Sequence, residues 1–201
     1  KPLPKISIIV LAAGSSCRLG EVNKLLLPWN HATIIRHSVE VCTQSHADEV
    51  LVVLGHQSLK VKNALQSLDV KFVDNPIFEK GMLSSIQAGI MEISPESEGW
   101  MIFLGDQPKL SLSLVNRLIE QFRKHYGSEK DLIVLPVCDG IRRNPVIFSK
   151  TFKQRLLAHQ GEGGKALIES HRDSMIEVAV DDANMFEDVD TPQEYNLLKP
   201  E

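Results

Sequence analysis

Cysteine is scarce in this chain of 201 residues, and the three present, Cys17, Cys42 and Cys138, are odd in number, far apart and in no Cys-x-x-Cys pair. That excludes a disulfide framework and a thiolate zinc site, and it fits a reducing compartment. Cys17 stands beside Arg18, which would lower a thiol pKa, but it also reads simply as a variable loop position. Long apolar runs are missing as well. Ile6 to Leu11 is strand-length and is followed by Gly and Arg, far short of the about 18 residues of a membrane helix, and it lacks the form of a signal-peptide core. A cytoplasmic protein with no membrane partner is expected. Basic residues are in deficit, 22 Lys and Arg against 26 Asp and Glu for a net charge of -4, so a general nucleic-acid surface is not expected. The seven histidines form neither His-x-x-x-His nor His-Glu-x-x-His. Repeats, linkers and low-complexity segments are absent too. What remains, 43% hydrophobic and 24% charged residues, predicts one domain over residues 1–201 with a full core.

The most informative stretch is ISIIVLAAGSSCRLGEVNKLLLP, from Ile6 to Pro28. Ile6, Ile8, Ile9, Val10 and Leu11 make a continuous, β-branched run suited to a strand buried on both faces of a parallel sheet. Leu11, Ala12, Ala13 and Gly14 then bring the backbone out with almost no side chain, so its N–H groups can approach an anion, and Gly14 can adopt positive φ. Arg18 and Lys24 supply a guanidinium fork and a point charge for phosphate oxygens. The spacing is not that of a P-loop, because five residues separate Gly14 from Gly20 and three separate Gly20 from Lys24. Nor is it a dinucleotide fingerprint, since no second or third glycine falls in register after Gly14. Taken alone, the loop reads equally well as a tight turn with a surface Arg and Lys.

Downstream, strands alternate with helices. Helical spacing and a Thr33 cap predict a helix from Ile34 to about Ser45, and Leu59 to Leu68 predicts a second. Apolar runs at Glu49–Leu54, Lys71–Asp74, Gly99–Leu104, Leu132–Val137 and Met175–Val180 predict strands. Further helices are expected from near Ser84 to Ile90, from Ser111 to about His125, and from Lys165 to about His171. This rhythm predicts an α/β fold: a three-layer, Rossmann-like, mostly parallel sheet with helices on both faces and ligands at the carboxyl ends of its strands. Asp106, pinned between Gly105 and Pro108 at the end of a central strand, is placed to hold Mg²⁺, although Asp-x-Pro is also an ordinary turn. Ser84 and Ser85 read on their own as helix caps, and Asp190-Thr191-Pro192 as a helix start.

Leu11-Ala12-Ala13-Gly14-x-Ser16-x-Arg18-Leu19-Gly20-x-x-x-Lys24-Leu25-Leu26 resembles the signature of the MobA-like nucleotidyltransferases, and within them the molybdenum cofactor cytidylyltransferase branch, with Leu19 where most members carry Met. Asn75-Pro76, Gly81-Met82 with Ser84-Ser85, Asp106-Gln107-Pro108, Gly161 to Ala166 and Asp188-Val189-Asp190-Thr191-Pro192 continue the likeness in order. The resemblance implies the nucleotide-diphospho-sugar transferase-like form of the fold. It also implies nucleotide contacts from Leu11, Ala12, Ala13, Gly14, Arg18, Lys24, Asn75, Ser85 and Asp106, with Arg18, Lys24 and Asp106 catalytic. Asp106 and Asp190 would hold Mg²⁺, with Asp188 as supporting charge. The implied substrates are CTP and a phosphorylated pterin acceptor carrying molybdenum, and a client would be a hydroxylase of the xanthine dehydrogenase kind. Where the family tends to have Gly-His-Pro, this chain has Arg143-Asn144-Pro145, so Arg142, Arg143 and Asn144 become the candidates for the acceptor, against a reading as solvated surface charge. Lys165 is read as a surface lysine. A guanylyltransferase, a cytidylyltransferase for another small phosphate acceptor, and a non-catalytic cofactor carrier stand as alternatives.

Overall fold

The computed structural model describes residues 2–15 and 22–201. Strand β1 (Ile6–Ala12) leads past a 3₁₀ turn at Lys24–Leu26 into a small hairpin of β2 (Pro28–Trp29) and β3 (Ala32–Thr33). Then come α1 (Ile34–Gln44), β4 (Glu49–Leu54), α2 (Ser58–Ala64), β5 (Lys71–Asp74), α3 (Met82–Glu92), β6 (Gly99–Leu104) and α4 (Leu112–His125). The second half adds β7 (Ile133–Cys138), β8 (Ile141–Arg142), β9 (Val146–Ser149), α5 (Lys153–Ala158), α6 (Lys165–Glu169), β10 (Met175–Ala179) and α7 (Pro192–Leu198).

The main sheet runs β10-β7-β9-β6-β1-β4-β5, with β8 paired to β7. Strand β1 lies between β4 and β6, parallel to both. Its side chains alternate between two cores, as the period of two requires. Ile6, Ile8, Val10 and Ala12 enter the core shared with α1 and α4, while Ile9 and Ala13 enter the core shared with α3 and α5. This is the three-layer, mostly parallel arrangement expected from the alternating strands and helices. Strand β9 departs from it, being antiparallel to β6 and β7. The chain passes from β1 toward β4 and β5 on one side and later builds β6 on the other. The crevice at the carboxyl ends of β1 and β6 is therefore a topological switch point, where ligands of open α/β sheets bind.

Local chemistry sets several boundaries. Thr33 Oγ1 accepts from Arg36 N–H (3.2 Å) and Ser111 Oγ from Leu114 N–H (3.1 Å), so both helices start where a cap is available. Helix α2 stops at Ala64 rather than Leu68; Ser67, with φ of 70°, turns the chain out of helical conformation while Leu65 remains buried. Helix α3 begins at Met82, two residues before Ser84, because Gly81 adopts φ of 100° and serves as its N-cap residue. Helix α5 and the β2–β3 hairpin carry too short a pattern to be read in advance. No helix among the described residues is long and apolar enough to cross a membrane.

Helix α3 lies close against β1 because Gly89 has no side chain: a Cβ there would sit 2.6 Å from Ile9 Cγ2 and 3.3 Å from Val53 Cγ2. Ile9 and Val53 are fully buried β-branched residues whose methyl groups cannot swing away. Gly89→Ala is therefore expected to destabilise the fold by about 1–3 kcal/mol despite the better helix propensity of Ala, read as a lower melting temperature in thermal denaturation.

Candidate active site

Three chain segments distant in sequence converge at the switch point. The first is the end of β1 and the turn after it. Gly14 does not use positive φ, and among the described residues no atom lies within 4 Å of where its Cβ would be, so the main chain there faces open space. The second is the turn after β6. Gly105 donates its N–H to Leu11 O (3.1 Å) and accepts from Ser38 Oγ (3.0 Å), and a Cβ on it would lie 2.9 Å from Leu11 O. Only glycine fits that contact, and the clamp delivers Asp106 beside Gly14. The third is the segment before α7. Val189 is fully buried and its N–H donates to Asp106 O (3.3 Å), while Gln107 Nε2 donates to Asp188 Oδ1 (2.6 Å) and to Phe186 O (3.3 Å). The capping box of α7 completes the anchoring: Thr191 Oγ1 accepts from Glu194 N–H (3.1 Å), and Glu194 Oε2 accepts from the N–H groups of Asp190 and Thr191 (2.8 Å each).

Lys24 joins the three. Its 3₁₀ turn is held by Asn23 Oδ1, which accepts from Leu25 N–H (3.1 Å), and by burial of Leu25. Lys24 Nζ donates to Asp106 Oδ2 and to Asp190 Oδ1, each at 2.6 Å. The lysine side chain is only 17% exposed. Burial is the largest single influence on this ammonium and would lower its pKa, but the charges and hydrogen bonds of Asp106 and Asp190 together outweigh it and hold the pKa above the ordinary lysine value. Asp188 lies behind the pair, and burial, followed by the charges of Asp106 and Asp190, pushes it up to about 6 against the lowering effect of Gln107 and Lys24.

A cavity of about 330 Å³ opens beside Lys24 and Asp106, with Asp190 and Asp188 outside its lining. Of the residues expected to meet a nucleotide, Leu11, Ala13, Gly14, Lys24, Ser85 and Asp106 line it. Ala12 does not, because β1 alternation turns it into the opposite core. Asn75 does not line it either, and its side-chain amide is engaged by the two serines of α3. Arg18 and Cys17 lie outside the described residues. Met82, part of the Gly81-Met82 likeness, lines the cavity too, and so do Phe78 and Glu79, which were not singled out from the sequence; their only signal was their place beside the Asn75-Pro76 and Gly81 turns.

Through Met82 and Leu104 this cavity adjoins a second one of about 300 Å³, lined by Arg142, Arg143 and Asn144 above an apolar floor that includes Ile102, Leu135 and Phe148. The two arginines differ. Arg142 is tied to Glu169 (2.9 Å) and Glu177 (3.3 Å), whereas Arg143 lies over the Phe186 ring (5.8 Å) with its Nε buried and, among the described residues, unpartnered. Lys165, read from the sequence as a surface lysine, also borders this second cavity.

The carboxylates of Asp106 and Asp190 are hard oxygen donors that converge on one cationic atom. Among the described residues no group of three or more His, Cys, Asp or Glu side chains is arranged to hold a metal unaided. Two carboxylates with the remaining positions left to substrate phosphates and water is what Mg²⁺ or Mn²⁺ takes at phosphate-handling sites, so these residues fit a divalent cation.

Known proteins resemble this chain over nearly its whole length. The molybdenum cofactor cytidylyltransferase of Escherichia coli (strain K12) is 27% identical over 198 residues, covering 96% of this chain and 95% of that protein. The purine catabolism protein PucB of Bacillus subtilis (strain 168) is 30% identical over 209 residues, covering 98% and 97%. The crystal structure of Rv0371c from Mycobacterium tuberculosis H37Rv is 28% identical, with a TM-score of 0.84 over 98% of this chain and 99% of that one. A manganese complex of the same protein gives 0.78 at 27% identity, over 97% and 98%. Residues 8–176 match the MobA-like NTP transferase domain, and with a basic side chain and two carboxylates gathered at the mouth of a small-residue turn, the chain belongs to that family of nucleotidyltransferases.

Proposed function

We propose that the chain transfers CMP from CTP to a phosphorylated pterin acceptor of the molybdenum cofactor type, releasing pyrophosphate. The observation that carries this reading is the Lys24 ammonium held at 2.6 Å from both Asp106 and Asp190 at the rim of the Gly14 turn. A phosphate oxygen of the acceptor attacks the α-phosphorus of CTP; a new P–O bond forms, the bond to the β-phosphate oxygen breaks, and its electron pair leaves with pyrophosphate. The attacking phosphate is already ionised, so the site needs positioning and charge neutralisation more than a general base. The Ala13-Gly14 backbone, Lys24 and Arg18 take the leaving pyrophosphate, and Ser85 seats the nucleotide. Asp106 and Asp190 would hold Mg²⁺, which would supply charge neutralisation for the transferring phosphates. Lys24 reaches the cavity on a flexible four-carbon stem, so its charge can serve phosphates beside the two carboxylates. A molybdenum hydroxylase as client, and a cytoplasmic setting, belong to the same proposal.

The second cavity receives the acceptor, with its apolar floor against a flat heterocycle. Arg142, neutralised by Glu169 and Glu177, serves to hold the wall together, and Arg143 is the cation that meets the acceptor phosphate. Asn144, on the same lining, offers a neutral polar contact.

Pyrophosphate release should require CTP and molybdenum-loaded pterin together, and GTP in place of CTP should support little. Equal rates with GTP, or release without the pterin, would reject the assignment. Asp106→Asn and Lys24→Met should each lower kcat by about 100-fold or more, as loss of a charge-stabilising group in a preorganised site does. Chelation with EDTA should abolish turnover, with recovery on adding Mg²⁺ or Mn²⁺. Arg143→Gln should raise the acceptor KM about tenfold, the loss of one charge-assisted hydrogen bond, with the CTP KM unchanged. Arg142→Gln should move the acceptor KM less than threefold or so, in line with a solvent-exposed ion pair.

A further inference from the structure

Asn75 follows β5 and is 2% exposed. Its backbone N–H donates to Leu54 O (2.8 Å). In the side chain, Oδ1 accepts from Ile77 N–H (3.1 Å), while Nδ2 donates to Ser84 Oγ and to Ser85 Oγ, each at 2.9 Å. The Ile77 contact fixes the orientation of the amide, because only its oxygen can accept from a backbone N–H. Both amide hydrogens are therefore committed to the two serines.

The serines dispose of their own hydrogens differently. Ser84 Oγ donates back to Gly81 O (2.7 Å), tying the first turn of α3 to the chain before it. Ser85 lines the cavity and is buried; its oxygen accepts from Asn75, and among the described residues its hydroxyl hydrogen has no acceptor. A hydroxyl has one donor and two lone pairs. With Asn75 engaging one lone pair, the hydrogen and the second lone pair remain, and among the described residues the cavity is where the hydrogen can find an acceptor.

We propose that Asn75 is a positioning residue that fixes Ser85 as a hydrogen-bond donor toward the nucleotide, so that the nucleotide atom seated there is a lone-pair acceptor and a base edge presenting N–H is disfavoured. The inference rests on reading this cavity as the nucleotide site. It adds a physical basis for base choice: cytosine carries two adjacent acceptors, O2 and N3, where the corresponding edge of guanine presents N1–H and N2–H₂. If Ser85 turned its remaining lone pair to an N–H of the base, its own buried hydrogen would be left without an acceptor, at a cost in free energy.

The test inverts the amide. Asn75→Asp keeps size and keeps an oxygen for Ile77 N–H, but its second oxygen can only accept, so Ser85 turns its hydrogen inward and shows the cavity a lone pair. Calorimetric titration with Mg-CTP and Mg-GTP should give a CTP Kd raised about tenfold and a reduced preference for CTP over GTP. Ser85→Ala should weaken CTP similarly, and the double variant should bind no worse than Ser85→Ala alone, because both changes remove one interaction. Wild-type CTP affinity in Asn75→Asp, or full additivity in the double variant, overturns the proposal while leaving the nucleotide site standing. Unchanged CTP affinity in Ser85→Ala shows that Ser85 does not touch the nucleotide, and overturns the proposal together with that contact. Failure of the wild-type protein to bind either nucleotide overturns the site reading and the proposal with it. Should Asn75→Asp melt too low to assay, 2-thio-CTP and 3-deaza-CTP replace it: one of them should bind more weakly than CTP to the wild type and not to Ser85→Ala, and a Ser85-dependent loss with neither overturns the proposal.

Discussion

Two aspartates at a protein surface repel, and the site depends on the cation that holds them together. Lys24 reaches Asp106 across 82 residues of sequence and Asp190 across 166, with both oxygens at 2.6 Å. Around this ion triad the backbone does the fixing. Gly105 is clamped on Leu11, Val189 on Asp106, and Asp190 on the Glu194 carboxylate of the capping box. Asp188, beside Gln107, is pushed up to about 6, chiefly by burial and then by the charges of Asp106 and Asp190. Carboxylates arranged this way are already gathered around one cation and need no rearrangement to bind another.

The sheet explains why the triad forms where it does. Strand β1 is flanked in parallel by β4 and β6, so its carboxyl end and that of β6 open side by side at the switch point. Small residues at the end of β1 keep the crevice open, and large buried ones immediately before them keep the strand in place. Helix α3, drawn close by Gly89, brings Ser85 to one cavity and shares Met82 between both. The two cavities thus meet at a single seam.

In the second half of the chain the Arg142–Glu169–Glu177 ties join β8 to α6 and β10 and wall the second cavity, while the adjacent Arg143 makes no such ion pair among the described residues. Nothing in Arg142-Arg143 as a dipeptide distinguishes the two. Their difference comes from strand alternation and from which carboxylates the neighbouring elements carry.

The strands at Glu49–Leu54, Lys71–Asp74 and Gly99–Leu104 and the Thr33, Ser111 and Thr191 helix starts were determined by sequence alone. They depend on a residue's own shape and on partners one to four positions away, so apolar pattern and capping chemistry are enough. The pairing of Asp106 with Asp190 was implied by the family resemblance and by no local pattern, while the antiparallel insertion of β9, the turning of Ala12 away from the cavity and the placing of Asn75 beneath Ser84 and Ser85 were decided only by the tertiary structure. Each of these is a contact between segments whose proximity is a property of the packed sheet, and no local pattern encodes which lone pair or carboxylate a distant element will present.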